Sequence, residues 1–167
     1  MKKIIITFGL LLAVCAIAFA QSDNSNKKIL FKAGTEFSAQ IENGLNAEES
    51  IIGEDLNFTL TGDFVGDGHT VSKGSELYGR IVNVEKASDK NEKTSRISVM
   101  FDFVKDGDDF VPLSANIVSI ENLPDKVKFE SSPTFEGGTV ISAKGTNLKI
   151  DKGAVFSIKL AKDITEK

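Results

Sequence analysis

Cysteine is nearly missing from this 167-residue chain: Cys15 is the only one. It lies inside an apolar N-terminal run, so the rest of the chain has no disulfide, no thiol nucleophile and no cysteine-based metal site. Histidine is as scarce, with His69 alone. One imidazole without thiolates makes no ordinary zinc site unless carboxylates do most of the ligation. Neither G-x-S-x-G nor H-E-x-x-H occurs. Basic surplus is absent too. The formal net charge is −4, and no basic stripe with interleaved aromatics interrupts it, which disfavours nucleic acid and anionic lipid as partners.

The one long apolar run is N-terminal. Lys2 and Lys3 precede residues 4–18, and Ala18-Phe19-Ala20 reads as a cleavage site before Gln21. This predicts a signal peptide over 1–20, an exported protein (periplasmic or secreted), and no transmembrane anchor after cleavage. Val14 before Cys15 argues against lipidation. Cleavage removes Lys2 and Lys3, leaving 18 basic against 24 acidic residues, a net charge of −6. Residues 21–28 read as a polar leader, and 29–164 as one domain large enough to bury a core without disulfides.

Within that domain the hydrophobic period is two. Phe37, Ala39 and Ile41 alternate with polar residues. So do Leu56, Phe58, Leu60, Gly62 and Phe64; Ile97, Val99, Phe101 and Phe103; and Phe156, Ile158 and Leu160. The stretch 77–84 is apolar on both faces and reads as a more central strand. At Ile117 the pattern slips to Val118 and Ile120, which predicts a bulge or a bend, and Pro112 places the start of its strand at an edge or outside the ladder. Glycine and aspartate clusters at 66–70, 105–109, 144–147 and 151–153 mark turns. Residues 85–95 read as a charged hairpin loop, 121–138 as a long irregular loop, and 46–51 as one or two helical turns with Asn46 and Glu49 as a capping box. The expected fold is all-β: an antiparallel β-barrel or barrel-like sandwich of about nine short strands.

One phrase recurs. "KAGTEFSAQI" begins at Lys32, "SKGSELYGRI" at Ser72 and "DKGAVFSIKL" at Asp151. Each reads as a turn in which Gly34, Gly74 or Gly153 takes a positive φ, followed by a core strand whose first inward residue lies three positions on.

The order of these phrases resembles the C-terminal β-barrel domain of VirB10/TrbI proteins of type IV secretion. Gly34-Thr35, Gly53, Gly74-Ser75, Leu77, Gly79, Gly107 and Leu113 match its turn glycines and strand entries, over about residues 33–120. The resemblance implies a barrel fold and an envelope location. It does not carry over the pore, because the barrel region holds no long apolar segment for the family's outer-membrane helices, and the cytoplasmic tail, inner-membrane helix and proline-rich stretch have no counterpart.

Candidate chemistry is sparse. His69 could act as a base beside Asp67 or Asp63, or sit exposed in a hairpin. Asp106, Asp108 and Asp109 could hold Ca²⁺, but EF-hand spacing is missing and a solvated hairpin tip is the plainer reading. Tyr78 and Arg80 share a strand face and could contact a ligand or partner, or pack across strands. The resulting expectation is a non-catalytic module with no cofactor or metal, which binds an envelope protein partner. The alternative is a small-ligand carrier using the barrel mouth. An enzyme would need a pocket that brings His69 to Asp63 or Asp67.

Overall fold

The computed structural model describes residues 28–87, 94–123 and 126–166. The signal peptide, Cys15 and residues 21–27 of the leader lie outside them. Fifteen strands and no helix occur among the described residues. They are β1 (Ile29–Phe31), β2 (Glu36–Ile41), β3 (Leu45–Asn46), β4 (Asp55–Leu60), β5 (Phe64–Val65), β6 (Thr70–Val71), β7 (Glu76–Glu85) and β8 (Thr94–Asp106). There follow β9 (Asp109–Pro112), β10 (Ala115–Ile120), β11 (Val127–Ser131), β12 (Gly138–Lys144), β13 (Lys149–Ile150), β14 (Val155–Leu160) and β15 (Ile164–Thr165).

Eight strands curl into an antiparallel, nearly closed barrel in the order β10-β14-β2-β4-β7-β8-β12-β11, with β9 added to β8. Three two-stranded sheets, β1–β15, β3–β13 and β5–β6, accompany it. At the seam, the amide of Ile117 in β10 donates to Thr139 Oγ1 in β12 at 2.7 Å, and Ser114 Oγ donates to the Glu136 carbonyl at 3.1 Å.

Period-two patterning fills this barrel with side chains. Phe37, Ala39, Ile41, Leu56, Phe58, Leu60, Phe156, Ile158 and Leu160 are all buried. Phe58 is central, edge-on to Phe101 at 5.4 Å and to Phe156 at 5.2 Å. A second aromatic group, Phe31, Phe64 and Phe37, packs beside it, with centroids 4.0 and 4.4 Å from Phe64.

The repeated phrase is a backbone device, and it occurs four times. Gly34, Gly53, Gly74 and Gly153 have φ of 87, 87, 88 and 88°. In each turn the carbonyl two residues before the glycine accepts from the amide one residue after it, as in Lys32–Thr35 at 3.1 Å and Ile51–Glu54 at 3.3 Å. That is a type II turn, whose third residue needs positive φ. Each glycine amide then donates to a neighbouring strand, at its last residue for Gly34 to Leu160, Gly153 to Ile41 and Gly74 to Leu60, and within β7 for Gly53 to Ile81. Every acceptor is the seventh residue after another of these glycines, so the turns pair off as 34 with 153 and 53 with 74. The small sheets follow from the same symmetry, pairing Phe31 with Ile164, Leu45 with Ile150 and Phe64 with Val71. The fourth such pair is replaced, because β7 runs on to Glu85 and pairs with Arg96 of β8.

The bulge near Ile117 is present: Ile117 and Ile120 are buried while Val118 stands out between them. Pro112 lies on β9, which pairs with β8 alone. The stretch 77–84 is central, flanked by β4 and β8, but its apolar character is one-sided, with Leu77 and Ile81 inside and Arg80 exposed.

Several expectations are corrected. Residues 46–51 form no helix: Asn46 ends β3 and a turn follows, in which Asn46 Oδ1 caps the Glu48 amide at 3.0 Å and the Ser50 amide donates to the Asn46 carbonyl. The adjacent type II turn at Gly53 leaves no room to propagate a helix. Residues 121–138 are not one loop, since β11 lies within them and pairs with β12. Phe103 leaves the core. A register shift between Tyr78 and Gly79 on the partner strand puts Val104 inside and turns Phe103 outward. Gly62 and Phe64 do not extend β4, which ends at Leu60, although Phe64 is buried from β5.

Candidate functional site

The β5–β6 hairpin is held against β1. The Asp67 amide donates to the Leu30 carbonyl at 2.9 Å, and Gly66 sits so close that a Cβ there would lie 2.0 Å from that oxygen. Only glycine permits this approach. The docking turns His69 toward the tip of the β8–β9 hairpin. Its Nε2 lies 2.7 Å from Asp106 Oδ2, with both side chains about one-third exposed. Its ring stands edge-on to Phe31 at 5.5 Å.

His69 is therefore partnered by neither carboxylate expected for it. Asp63 caps the Lys73 amide at 2.8 Å, and Asp67 pairs with Lys32 at 2.8 Å, a hydrogen bond that raises the Lys32 ammonium above its ordinary value. The His69–Asp106 pair also draws one carboxylate out of the 106–109 turn. Among the described residues, no three histidine or carboxylate side chains converge as a metal site would require.

His69 and Asp106 border a surface groove of about 430 Å³, lined also by Leu30 and by residues 109–112 and 163–166. Its floor and walls carry Leu30, Phe110, Val111, Pro112 and Ile164, while Asp106, Asp109, Asp163 and Glu166 make the rim acidic. Among the described residues, no lysine or arginine lines it. Phe110 is half exposed, a large apolar surface left in water. The groove can seat an apolar segment carrying positive charge. For acid–base work it offers the His69–Asp106 pair, with Thr165 as the hydroxyl in the lining.

Tyr78 and Arg80 lie outside this groove. Tyr78 stacks at a tilt on Phe103 across the β7–β8 pair, 4.8 Å between centroids, and its hydroxyl donates to Glu76 at 2.9 Å. That bond raises the Tyr78 phenol, and with Lys105 it lowers the Glu76 carboxyl. Arg80 pairs with Asp102 at 3.3 Å. Both side chains make cross-strand contacts. Phe103 in turn meets Phe110 edge-on at 5.0 Å, which ties this outer aromatic strip to the groove wall.

Sequence reasoning missed Phe110, Ile164 and Glu166. A phenylalanine directly after the acidic turn "KDGDD" and before Pro112 was the available signal. The pairing of residues so far apart along the chain left none.

The chain matches no protein-family model and no curated protein sequence.

Proposed function

We propose that this protein is a non-catalytic, exported β-barrel module that acts by binding a protein in the cell envelope, with a VirB10/TrbI-like barrel. One observation carries the reading. The barrel interior is packed with phenylalanine and aliphatic side chains, while unpaired strand edges and apolar side chains lie open on the surface around Phe110. A carrier would need the reverse, an enclosed apolar pocket with a few convergent polar groups.

A photo-crosslinking amino acid in place of Phe110, in the exported protein within its own envelope, tests this. Discrete protein adducts are expected, absent when the probe replaces Lys128 on β11. A groove that yields no protein adduct overturns the reading. A small molecule co-purifying with the protein would favour the alternative, a small-ligand binder, for which the groove's 430 Å³ is large enough.

A further inference from the structure

Four consecutive residues of β9 line the groove, and four consecutive residues from 163 to 166 line its other side. Side chains alternate in direction along a strand. A cavity that touches all four residues of β9 runs along that strand's edge and not over one face, and opposite it the cavity touches both residues of β15 with the residue on either side.

The hydrogen-bond register says which main-chain groups lie there. The Leu113 amide donates to the Asp102 carbonyl, and Val104–Val111 and Asp106–Asp109 follow at steps of two. In an antiparallel ladder these are the bonded pairs, so the intervening Phe110 directs its N–H and C=O away from β8. Opposite, the Glu166 amide donates to the Lys28 carbonyl of the chain entering β1. By the same alternation Thr165 directs its main-chain groups away from β1. The groove thus separates two strand edges, at which Phe110 and Thr165 each turn one N–H and one C=O from their own partner strands, while Pro112, the next outward residue of β9, offers a carbonyl alone.

We propose that the groove binds an extended peptide segment of a partner protein, which adds as a strand between the edges of β9 and β15. The segment alternates apolar residues with lysine or arginine. Main-chain bonds supply register, and alternate pockets at Phe110 and Ile164 take apolar side chains. The charge follows from the rim. Among the described residues, Asp109 and Glu166 have no ion-pair partner and the groove lining has no basic side chain. A second copy of this acidic chain is a poorer occupant by like-charge repulsion. Other open edges fit less well: β10 is sewn to β12 at Ile117 and blunted by the Val118 bulge.

This inference rests on the protein-binding reading, and the test separates the two. The probes are three capped eight-residue peptides: alternating lysine and valine, alternating glutamate and valine, and the lysine–valine peptide N-methylated at every second amide. Binding is followed by NMR shifts of the isotope-labelled mature protein. The lysine–valine peptide should perturb Phe110 and Thr165 amides and bind about tenfold tighter than the glutamate peptide, a difference of about 1.4 kcal/mol. N-methylation should abolish binding. The double variant Asp109→Asn, Glu166→Gln, conservative and on the surface, should weaken it severalfold. Equal binding of the N-methylated peptide, shifts confined to another surface, or no binding by the lysine–valine peptide overturns strand addition. If position 110 still crosslinks to a protein, the protein-binding reading stands without it. If neither binding nor adducts are found, both fall.

Discussion

The Gly34 amide donates to the Leu160 carbonyl at 2.9 Å, and the Leu160 amide donates back to the Thr35 carbonyl at 2.9 Å. The same reciprocal pair joins Gly74 to Leu60 and Gly53 to Ile81. The turn glycines are therefore fixed at the barrel's strand junctions by main-chain bonds, and their worth is conformational. At Gly53 and Gly74 a Cβ would meet no atom within 4 Å, so substitution there costs only backbone strain. Gly53→Val and Gly74→Val should each lose about 1–3 kcal/mol in urea unfolding. A Gly53 variant as stable as its parent would remove that turn from the set.

His69 and Asp106 join the β5–β6 and β8–β9 hairpins. Their contact is half-sheltered, so it should be worth more than an open surface pair. A double-mutant cycle with His69→Ala and Asp106→Ala should give a coupling of about 0.5–1.5 kcal/mol. Additive losses would mean that the pair holds nothing in place.

Much of the architecture was legible because burial on one face leaves a period of two that survives in any context. Phe37, Leu77 and Phe156 were readable as the first inward residues after their glycines, and all three are buried. Gly53 escaped the phrase because Ile51-Ile52 stands where the other turns carry Lys32-Ala33, Ser72-Lys73 and Asp151-Lys152. β11 escaped although Val127 and Phe129 alternate with Lys128 and Glu130. As an edge strand it is short and largely exposed, and its flanks read as loop. The groove was unreadable for a different reason. It is built where β15 meets β9, by turn docking and strand closure rather than by any local pattern.

Phe101 and Phe103 look equivalent in sequence but sit on opposite sides of a register shift. Phe101→Ala should cost about 3–5 kcal/mol, as for a buried aromatic. Phe103→Ala should cost distinctly less, because its contacts are Tyr78 and Phe110 on the outer face. Equal losses by chemical denaturation would restore the unbroken alternation.

Tyr78 is the first cause of the lowered Glu76 carboxyl, ahead of the hydrogen bond from Lys105. Tyr78→Phe should move the Glu76 titration upward, part of the way to its ordinary value, as followed by NMR of the carboxyl carbon. The sign for stability follows from linkage. A carboxyl lowered in the folded state contributes above its unfolded value, and that contribution is lost as pH falls through the folded one. An unmoved Glu76 titration would show that Lys105 alone sets it.

Thr139 closes the barrel. Its Oγ1 accepts the buried Ile117 amide at the seam, where β10 and β12 otherwise lack a ladder. Thr139 itself is almost fully buried, so water offers no ready substitute. Thr139→Val keeps the shape and removes the acceptor, leaving a buried N–H without a partner. The expected loss is about 1–3 kcal/mol, with faster hydrogen exchange at Ile117 than at Ile158 in the neighbouring β14. Thr139→Ser keeps the hydroxyl and should recover most of the Ile117 protection, although it loses a methyl from the core. If valine protects Ile117 as well as threonine does, the seam is held by packing of Ala115 and Ile117 against the barrel interior, and the hydroxyl is incidental to closure.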